Sequence, residues 1–169
     1  MKISTKEMVT SGLLIALAVI LSNPMFKLMG SIGLDAIPAF FGASVISPLM
    51  GGLVGGIAHI VSAMLTGFPF SLPVHLVVMV MMFITCYLYG VSRKKFNPYV
   101  AMIVGIVMNG PVTLLISAYT AKLFGIEFSG MAMFLALLGP LTLVSSANIV
   151  IAEVIYGLVG HQLEKSLES

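Results

Sequence analysis

The sequence predicts an all-α integral membrane protein, and three observations support that prediction. Of its 169 residues, 59% are hydrophobic and only 8% are charged, and the mean hydropathy is +1.14. A soluble domain carries about 25% charged residues, so a water-soluble fold of this size would lack the charge to cover its surface. The apolar segments also recur at lengths suited to a bilayer, separated by short breaks. We expect residues 1–169 to form a single membrane-embedded domain.

Six transmembrane helices are expected. The first, with 19 residues at 1.5 Å per residue, would be about 28 Å long and just cross the hydrocarbon core. The second is short, and Pro140 is expected to kink the sixth helix or delay its start. The short polar segment from Arg93 to Pro98 is expected to be a loop. The six segments are Ser4–Ser22, Asp35–Ile46, Pro48–Thr66, Pro73–Gly90, Pro98–Ala121 and Met131–Gly160, followed by a polar tail from His161 to Ser169.

The distribution of Lys and Arg predicts that both termini are cytoplasmic. With the N-terminus inside, the cytoplasmic side carries six basic residues and the outer side carries two, Lys27 and Lys122. That asymmetry follows the positive-inside bias of membrane proteins. The six inner residues are Lys2, Lys6, Arg93, Lys94, Lys95 and Lys165.

The stretch from Gly33 to His75 concentrates helix breakers and ionisable groups within an apolar background. It holds the only aspartate, two of the three histidines, four of the eight prolines and seven of the seventeen glycines. Within a bilayer, broken helices are tolerated only where the freed backbone is buried in protein or lines a cavity. The stretch therefore predicts short, closely packed helices beside a pocket.

Polar side chains inside apolar spans are costly and are candidates for function. We expect a substrate-binding site formed by Asp35, His75, Asn109, Ser145 and Asn148, which converge on an outward-facing cavity in the predicted topology. For Asp35, His75 and the two asparagines, a purely structural role stays open as the alternative to ligand binding. Asp35 also suits a helix N-cap, His75 an interfacial position, and the two asparagines interhelical hydrogen bonds. The amide of Asn109 is also placed to satisfy backbone freed by Pro111.

Composition and motif searches exclude several function classes. The net charge of +2 is too small to indicate nucleic-acid binding, and the single cysteine, Cys86, excludes an intrachain disulfide. The chain lacks a G-x-x-x-x-G-K-[ST] phosphate loop, a G-x-S-x-G elbow and an H-E-x-x-H motif. His59 and His75 are sixteen residues apart, which is too weak a pattern to indicate a metal site. No metal and no cofactor are predicted.

Small residues at four-residue spacing mark two helix faces that can approach another helix closely. Gly12 and Ala16 lie on the first segment, and Gly52 and Gly56 lie on the third. These four positions are the predicted partner-binding residues. Packing within the chain is the alternative, and it applies most to the third segment.

The short helices, both ends inside, and the stretch D-A-I-P-A-F-F-G-A-S-V-I-S-P-L-M-G-G-L-V-G-G-I-A-H from Asp35 to His59 resemble a known family. The chain is similar to the substrate-binding S components of energy-coupling factor (ECF) vitamin transporters. The resemblance covers nearly the whole chain, although its motifs are loose. It implies a prokaryotic cell-membrane protein without enzymatic activity.

The resemblance also implies a ligand and partners. In that family, spans 4 to 6 and the first outer loop bind the vitamin. Spans 1 to 3 contact a transmembrane coupling subunit, which works with two cytoplasmic ATPases. The family's A-x-x-x-A-x-x-x-A docking face corresponds to positions Gly12, Ala16 and Ile20. Gly12 is a small substitute for alanine, whereas Ile20 departs from the pattern. Lys2 stands where metal-transporting members carry histidine, and the T-G-F-P-F-S-L-P-V-H run is most similar to members assigned to α-ribazole, a cobalamin precursor. Pantothenate stays open as another ligand.

Two other functions remain as alternatives. A small channel or assembly subunit would form a stable homo-oligomer without an ATPase partner. An intramembrane enzyme would need His59 or His75 paired with Asp35 or Glu153 in one cavity.

Overall fold

The computed structural model of the chain describes residues 3–22, 27–28 and 32–168, with side chains for 3–22 and 33–167. Helices account for nearly all of these residues, and one two-residue antiparallel strand pair joins Lys27–Leu28 to Ile32–Gly33. The helices are α1 (Thr5–Leu21), α2 (Ile37–Val45), α3 (Pro48–Leu65), α4 (Leu72–Lys95), α5 (Pro98–Val107), α6 (Thr113–Leu123), α7 (Gly130–Ile155) and α8 (His161–Glu168), with π turns at Met108–Val112 and Tyr156–Gly160.

The structure confirms the prediction of a helical protein with helices suited to a membrane. Within the described ranges, four continuous helical stretches are long and apolar enough to cross a membrane: Pro48–Leu65, Leu72–Lys95, Pro98–Leu123 and Gly130–Leu167. Helix α1 has 17 residues and α2 has nine. The count of six spans and the cytoplasmic placement of the termini therefore stay predictions.

Two helices begin where capping chemistry in the sequence places them. The Ser47 hydroxyl accepts a hydrogen bond from the Met50 amide at 3.2 Å, and the Asn97 side chain accepts one from the Val100 amide at 2.9 Å. Each cap is followed directly by a proline, whose missing N–H is not needed in the first turn. These local signals explain why the predicted starts of α3 and α5 agree with the structure.

Three boundary predictions are corrected, and the polar tail, to which no element was assigned from the sequence, is found to be helical. Arg93 lies in the last turn of α4 rather than in a loop, since the helix continues to Lys95, where basic side chains complement the helix dipole. The tail predicted from His161 is helical as α8. Helix α7 starts at Gly130 and continues through Pro140. The N-cap position of α2 is occupied by Ala36 rather than by Asp35.

The short helix α2 lies at the centre of the bundle. All nine of its residues are buried, and it packs against α1, α3, α4 and α7. A helix that is apolar all round belongs in such a position, and its short length is tolerated because protein, rather than lipid, surrounds its ends. Phe40 of α2 meets Tyr89 of α4 edge-to-face, with 5.0 Å between ring centroids. Both rings belong to the main hydrophobic core of the bundle.

Candidate functional site

A cavity of about 350 Å³ lies between α2, α3, α4, α6 and α7. Its volume is within the range of small-molecule sites in proteins. The wall includes the turn at Gly33–Ala36, the second half of α3 and the first half of α4. The π turn, the start of α6 and the first two-thirds of α7 complete it. The cavity thus occupies the end of the bundle remote from Arg93 and α8.

All five predicted substrate-binding residues line this cavity: Asp35, His75, Asn109, Ser145 and Asn148. They come from four separate parts of the chain, namely the turn before α2, the start of α4, the π turn and α7. The structure therefore brings these five residues to the lining of one cavity. Their spacing in the sequence alone could not show that they meet there. Their role in binding remains a prediction.

Asn148 has a structural task in the cavity wall. Its Oδ1 accepts a hydrogen bond from the Ala36 amide at 3.1 Å, and its Nδ2 donates to the carbonyls of Gly33 at 3.1 Å and Val144 at 2.9 Å. The side chain is only 2% exposed. Asn148 of α7 therefore holds the turn that presents Asp35 to the cavity.

Asn109 lies in the π turn that interrupts the stretch from α5 to α6. Its Nδ2 donates to the Ser145 hydroxyl at 3.0 Å and so links this turn to α7. The backbone near Pro111 is stabilised by another residue, since the Thr113 hydroxyl donates to the Met108 carbonyl at 2.7 Å. The expectation that Asn109 serves that backbone is corrected. Single-turn π bulges frequently mark functional sites.

Two histidines meet in the cavity wall, a contact that the sequence analysis did not predict. His59 Nε2 of α3 and His75 Nδ1 of α4 are 3.1 Å apart, and their rings are stacked at 5.3 Å between centroids. One nitrogen donates the proton and the other accepts it. Because the two residues lie on neighbouring antiparallel helices, their contact depends on helix pairing, which local periodicity does not show.

The turn between α3 and α4 is strained where it borders the cavity. Gly67, Phe68 and Ser71 have positive φ values of 76°, 53° and 91°. Positive φ is uncommon for residues other than glycine and costs free energy. Pro69 and Phe70, between these positions, line the cavity. The strained backbone thus places an apolar cover over one end of it.

The wall contributed by α7 is mostly apolar. Met133, Leu137, Leu141 and Val144 follow one another at intervals of four, four and three residues and all line the cavity. This spacing places them on a single helix face. We call these four residues the α7 strip. The α7 strip forms an apolar side of the cavity, next to the polar groups of α3, α4 and α6.

At the opposite end of the bundle, Glu153 is engaged in an ion pair. Arg93 donates from Nε to Oε1 at 2.8 Å and from a terminal nitrogen to Oε2 at 3.0 Å, a bidentate arrangement. The Tyr89 hydroxyl also donates to Oε1, and the guanidinium lies 3.8 Å from the centroid of the Tyr156 ring. Glu153 therefore pairs within the bundle, away from the cavity, and does not meet His59 or His75 as the enzyme alternative would require.

The predicted partner-binding residues separate into two groups. Gly12 and Ala16 are exposed on α1. Gly52 and Gly56 are buried against α4, where an added Cβ would lie 2.9 Å from the Phe83 carbonyl oxygen and 3.2 Å from that of Met79. Close packing of α3 on α4, the intrachain alternative, accounts for both glycines.

Metal coordination finds little support in the side chains of the cavity. Within the described ranges, no three histidine, cysteine or carboxylate side chains are grouped so as to hold a metal ion. His59 and His75 form a hydrogen-bonded pair of imidazoles.

Comparison with known proteins places the chain in a family. The family model described as "ECF transporter, substrate-specific component" matches residues 6–160. No curated protein and no solved structure gives a significant match. Proteins of this family bind small-molecule substrates, partner with an ECF module and are not enzymes. Because the match extends from α1 to the end of the second π turn, the chain belongs to the family of substrate-specific components of ECF transporters.

Proposed function

We propose that this chain is the high-affinity substrate-binding subunit of an ECF-type importer in a prokaryotic cell membrane, and that its ligand is a small vitamin or cofactor precursor. The observation that supports this most directly is the cavity of about 350 Å³ lined by Asp35, His75, Asn109, Ser145 and Asn148. A nanomolar Kd corresponds to about −12 kcal/mol. Burial of most of a vitamin-sized ligand, with several satisfied hydrogen bonds, can supply free energy of that size.

Our best candidate for the ligand is α-ribazole. The described lining is uncharged apart from Asp35 and the two histidines. Such a lining suits a neutral nucleoside, with a flat ring for the α7 strip and hydroxyl groups for the polar side. Pantothenate is the second candidate, and its carboxylate would meet the Asp35 carboxylate unfavourably.

The proposed partners are one transmembrane coupling subunit and two cytoplasmic ATPases. Gly12 and Ala16 supply an exposed small-residue face on α1 for the coupling subunit. Gly52 and Gly56 are left out of this surface because they are buried against α4. The turn at Gly67–Pro73 would close over the bound ligand, and so would the first outer loop, residues 24–34, most of which lies outside the described residues.

Native mass spectrometry of the chain, purified gently from its own host membrane, tests the transporter function. We expect a coupling subunit, ATPases and a bound small molecule whose mass identifies the vitamin. A bare homo-oligomer with neither partner nor ligand would contradict the proposal and favour a channel or assembly subunit.

Calorimetric titration tests the ligand assignment separately. We expect α-ribazole to bind the purified chain at least tenfold more tightly than pantothenate. Tighter binding of pantothenate would show that the α-ribazole assignment is wrong while leaving the transport function intact.

A further inference from the structure

Two buried serines of the cavity wall have hydroxyls that make no hydrogen bond to the described residues. Ser62 of α3 is 7% exposed and Ser117 of α6 is 4% exposed, and both line the cavity. Neither hydroxyl has a hydrogen-bond partner among the described residues. A buried polar group without a partner costs free energy, so its presence calls for a physical reason.

Other hydroxyls of the same wall bond to their own helix. The Ser22 hydroxyl donates to the Val19 carbonyl at 2.7 Å, and the Thr66 hydroxyl donates to the Ser62 carbonyl at 3.0 Å. Helical serines and threonines commonly satisfy themselves in this way. Ser62 and Ser117 differ because their hydroxyls make no such bond and are therefore not committed to their own helix.

The positions of these two serines complement the α7 strip. Helix α4 packs against both α3 and α6, and the two serines line the cavity from these two neighbours of α4. Ser62 follows His59 by three residues on the same helix face, and Ser117 follows Thr113 by four. The polar groups of α3, α4 and α6 thus share the cavity with α7, which contributes the apolar α7 strip as well as Ser145 and Asn148.

We propose that Ser62 and Ser117 are ligand-binding residues that hydrogen-bond the polar rim of an uncharged ring compound, whose apolar face lies on the α7 strip. Each hydroxyl can donate and accept, which suits ligand hydroxyl or amide groups. The inference rests on the proposed substrate-binding function and assigns a binding role to α3, beyond the five residues expected from the sequence.

The test uses Ser62→Ala and Ser117→Ala with α-ribazole and pantothenate as probes in calorimetric titration. We expect each variant to weaken binding of the probe that the wild type binds by about two- to tenfold, the effect of one lost hydrogen bond. The melting temperature of the ligand-free variants should stay equal to that of the wild type or rise, because each change removes an unpartnered buried hydroxyl. Lower affinity without lower stability is a combination that a structural role would not produce.

Matched controls come from buried hydroxyls elsewhere in the chain. Ser11 of α1 and Thr85 of α4 are 7% and 0% exposed, lack hydrogen-bond partners among the described residues, and do not line the cavity. Ser11→Ala makes the same chemical change as the test variants, and Thr85→Val removes a hydroxyl at constant shape. Both controls should bind the probe with wild-type affinity.

The outcomes separate the inference from the function on which it rests. If the wild type binds a probe and both serine variants bind it equally well, the inference is overturned and the transport function stands. A hydroxyl that contacts only cavity water would give that result. If neither probe binds the wild type and no small molecule co-purifies with it, the proposed function fails and the inference fails with it.

Discussion

The cavity end of the bundle and the end that holds Arg93 and Glu153 use polar side chains in opposite ways. At the cavity end the groups are mostly neutral, and Ser62 and Ser117 keep hydrogen-bonding capacity. At the other end a bidentate ion pair links α4 to α7, and Tyr89 adds a further hydrogen bond to Glu153. Polar groups with open capacity can bind a ligand, whereas groups that are fully engaged with each other hold the structure together.

A substitution that breaks the Arg93–Glu153 ion pair should cause the largest loss of stability. Glu153→Ala leaves the Arg93 guanidinium without its carboxylate, and both side chains are less than a fifth exposed, at 16% and 14%. Breaking a buried pair in this way costs about 3–5 kcal/mol. Denaturant unfolding in detergent should show this loss, while the remaining folded protein binds ligand with wild-type affinity.

The double variant Arg93→Met/Glu153→Leu is the control for this effect. It removes both charges together and should recover much of the lost stability, because no unpaired charge remains. Loss of ligand binding in folded Glu153→Ala protein would contradict the division between the two ends.

Asn148→Ala should have the next largest effect and should lower both the stability of the fold and the affinity for ligand. The amide makes two hydrogen bonds that hold the Gly33–Ala36 turn and a third to the Val144 carbonyl of its own helix. Its loss leaves buried backbone groups without partners, at a cost of about 1–3 kcal/mol. The Asp35 carboxylate also loses its fixed position, so ligand affinity should fall at least tenfold. Thermal unfolding and calorimetric titration of the same sample measure both effects. Unchanged affinity would mean that the turn does not belong to the site.

Asn109→Ala should affect binding more than stability. The hydrogen bond of Asn109 to the Ser145 hydroxyl is worth about 1 kcal/mol, so the melting temperature should fall only slightly. Ligand binding should weaken sharply, by about tenfold, because an amide is lost from the cavity wall. Asn97→Ala, which alters a helix cap outside the cavity, is the control and should bind normally. A large stability loss with normal affinity would make Asn109 a structural residue only.

Gly12→Leu and Ala16→Leu should have the smallest effect on the isolated chain. An added Cβ at Gly12 would meet no atom within 4 Å, so the fold and ligand binding should be unchanged. Complex formation with the coupling subunit, measured by co-purification, should be lost. Gly52→Leu is the contrasting variant, because a side chain there meets the Phe83 backbone and should destabilise the α3–α4 contact. Normal assembly of the Gly12 and Ala16 variants would rule out this docking surface.

The fold class and several helix starts could be predicted because they depend on local chemistry. Ser47 before Pro48 and Asn97 before Pro98 carry their capping information within four residues. The end of α4 was missed, since Arg93, Lys94 and Lys95 are polar and yet continue the helix at its C-terminal end. Polarity identifies where a span leaves the apolar core and does not identify where the helix itself ends.

The candidate site was only partly predictable for a different reason. Asn109 and Asn148 attracted attention because amides are costly within apolar spans, and both line the cavity. Ser62 and Ser117 gave no such signal, because most helical serines bond to their own backbone. Only the tertiary structure distinguishes the serines that do so from those that do not.

The sequence by itself determined that this chain is a helical membrane protein, that its helices break between Gly33 and His75, and that a few polar side chains lie within apolar segments. These properties follow from composition and from the conformational preferences of single residues. Only the tertiary structure decided that His59 meets His75, that Glu153 is paired with Arg93, and that Asn148 holds the turn carrying Asp35. Such contacts join side chains from different helices, so they depend on how the helices pack against one another rather than on the order of residues along the chain.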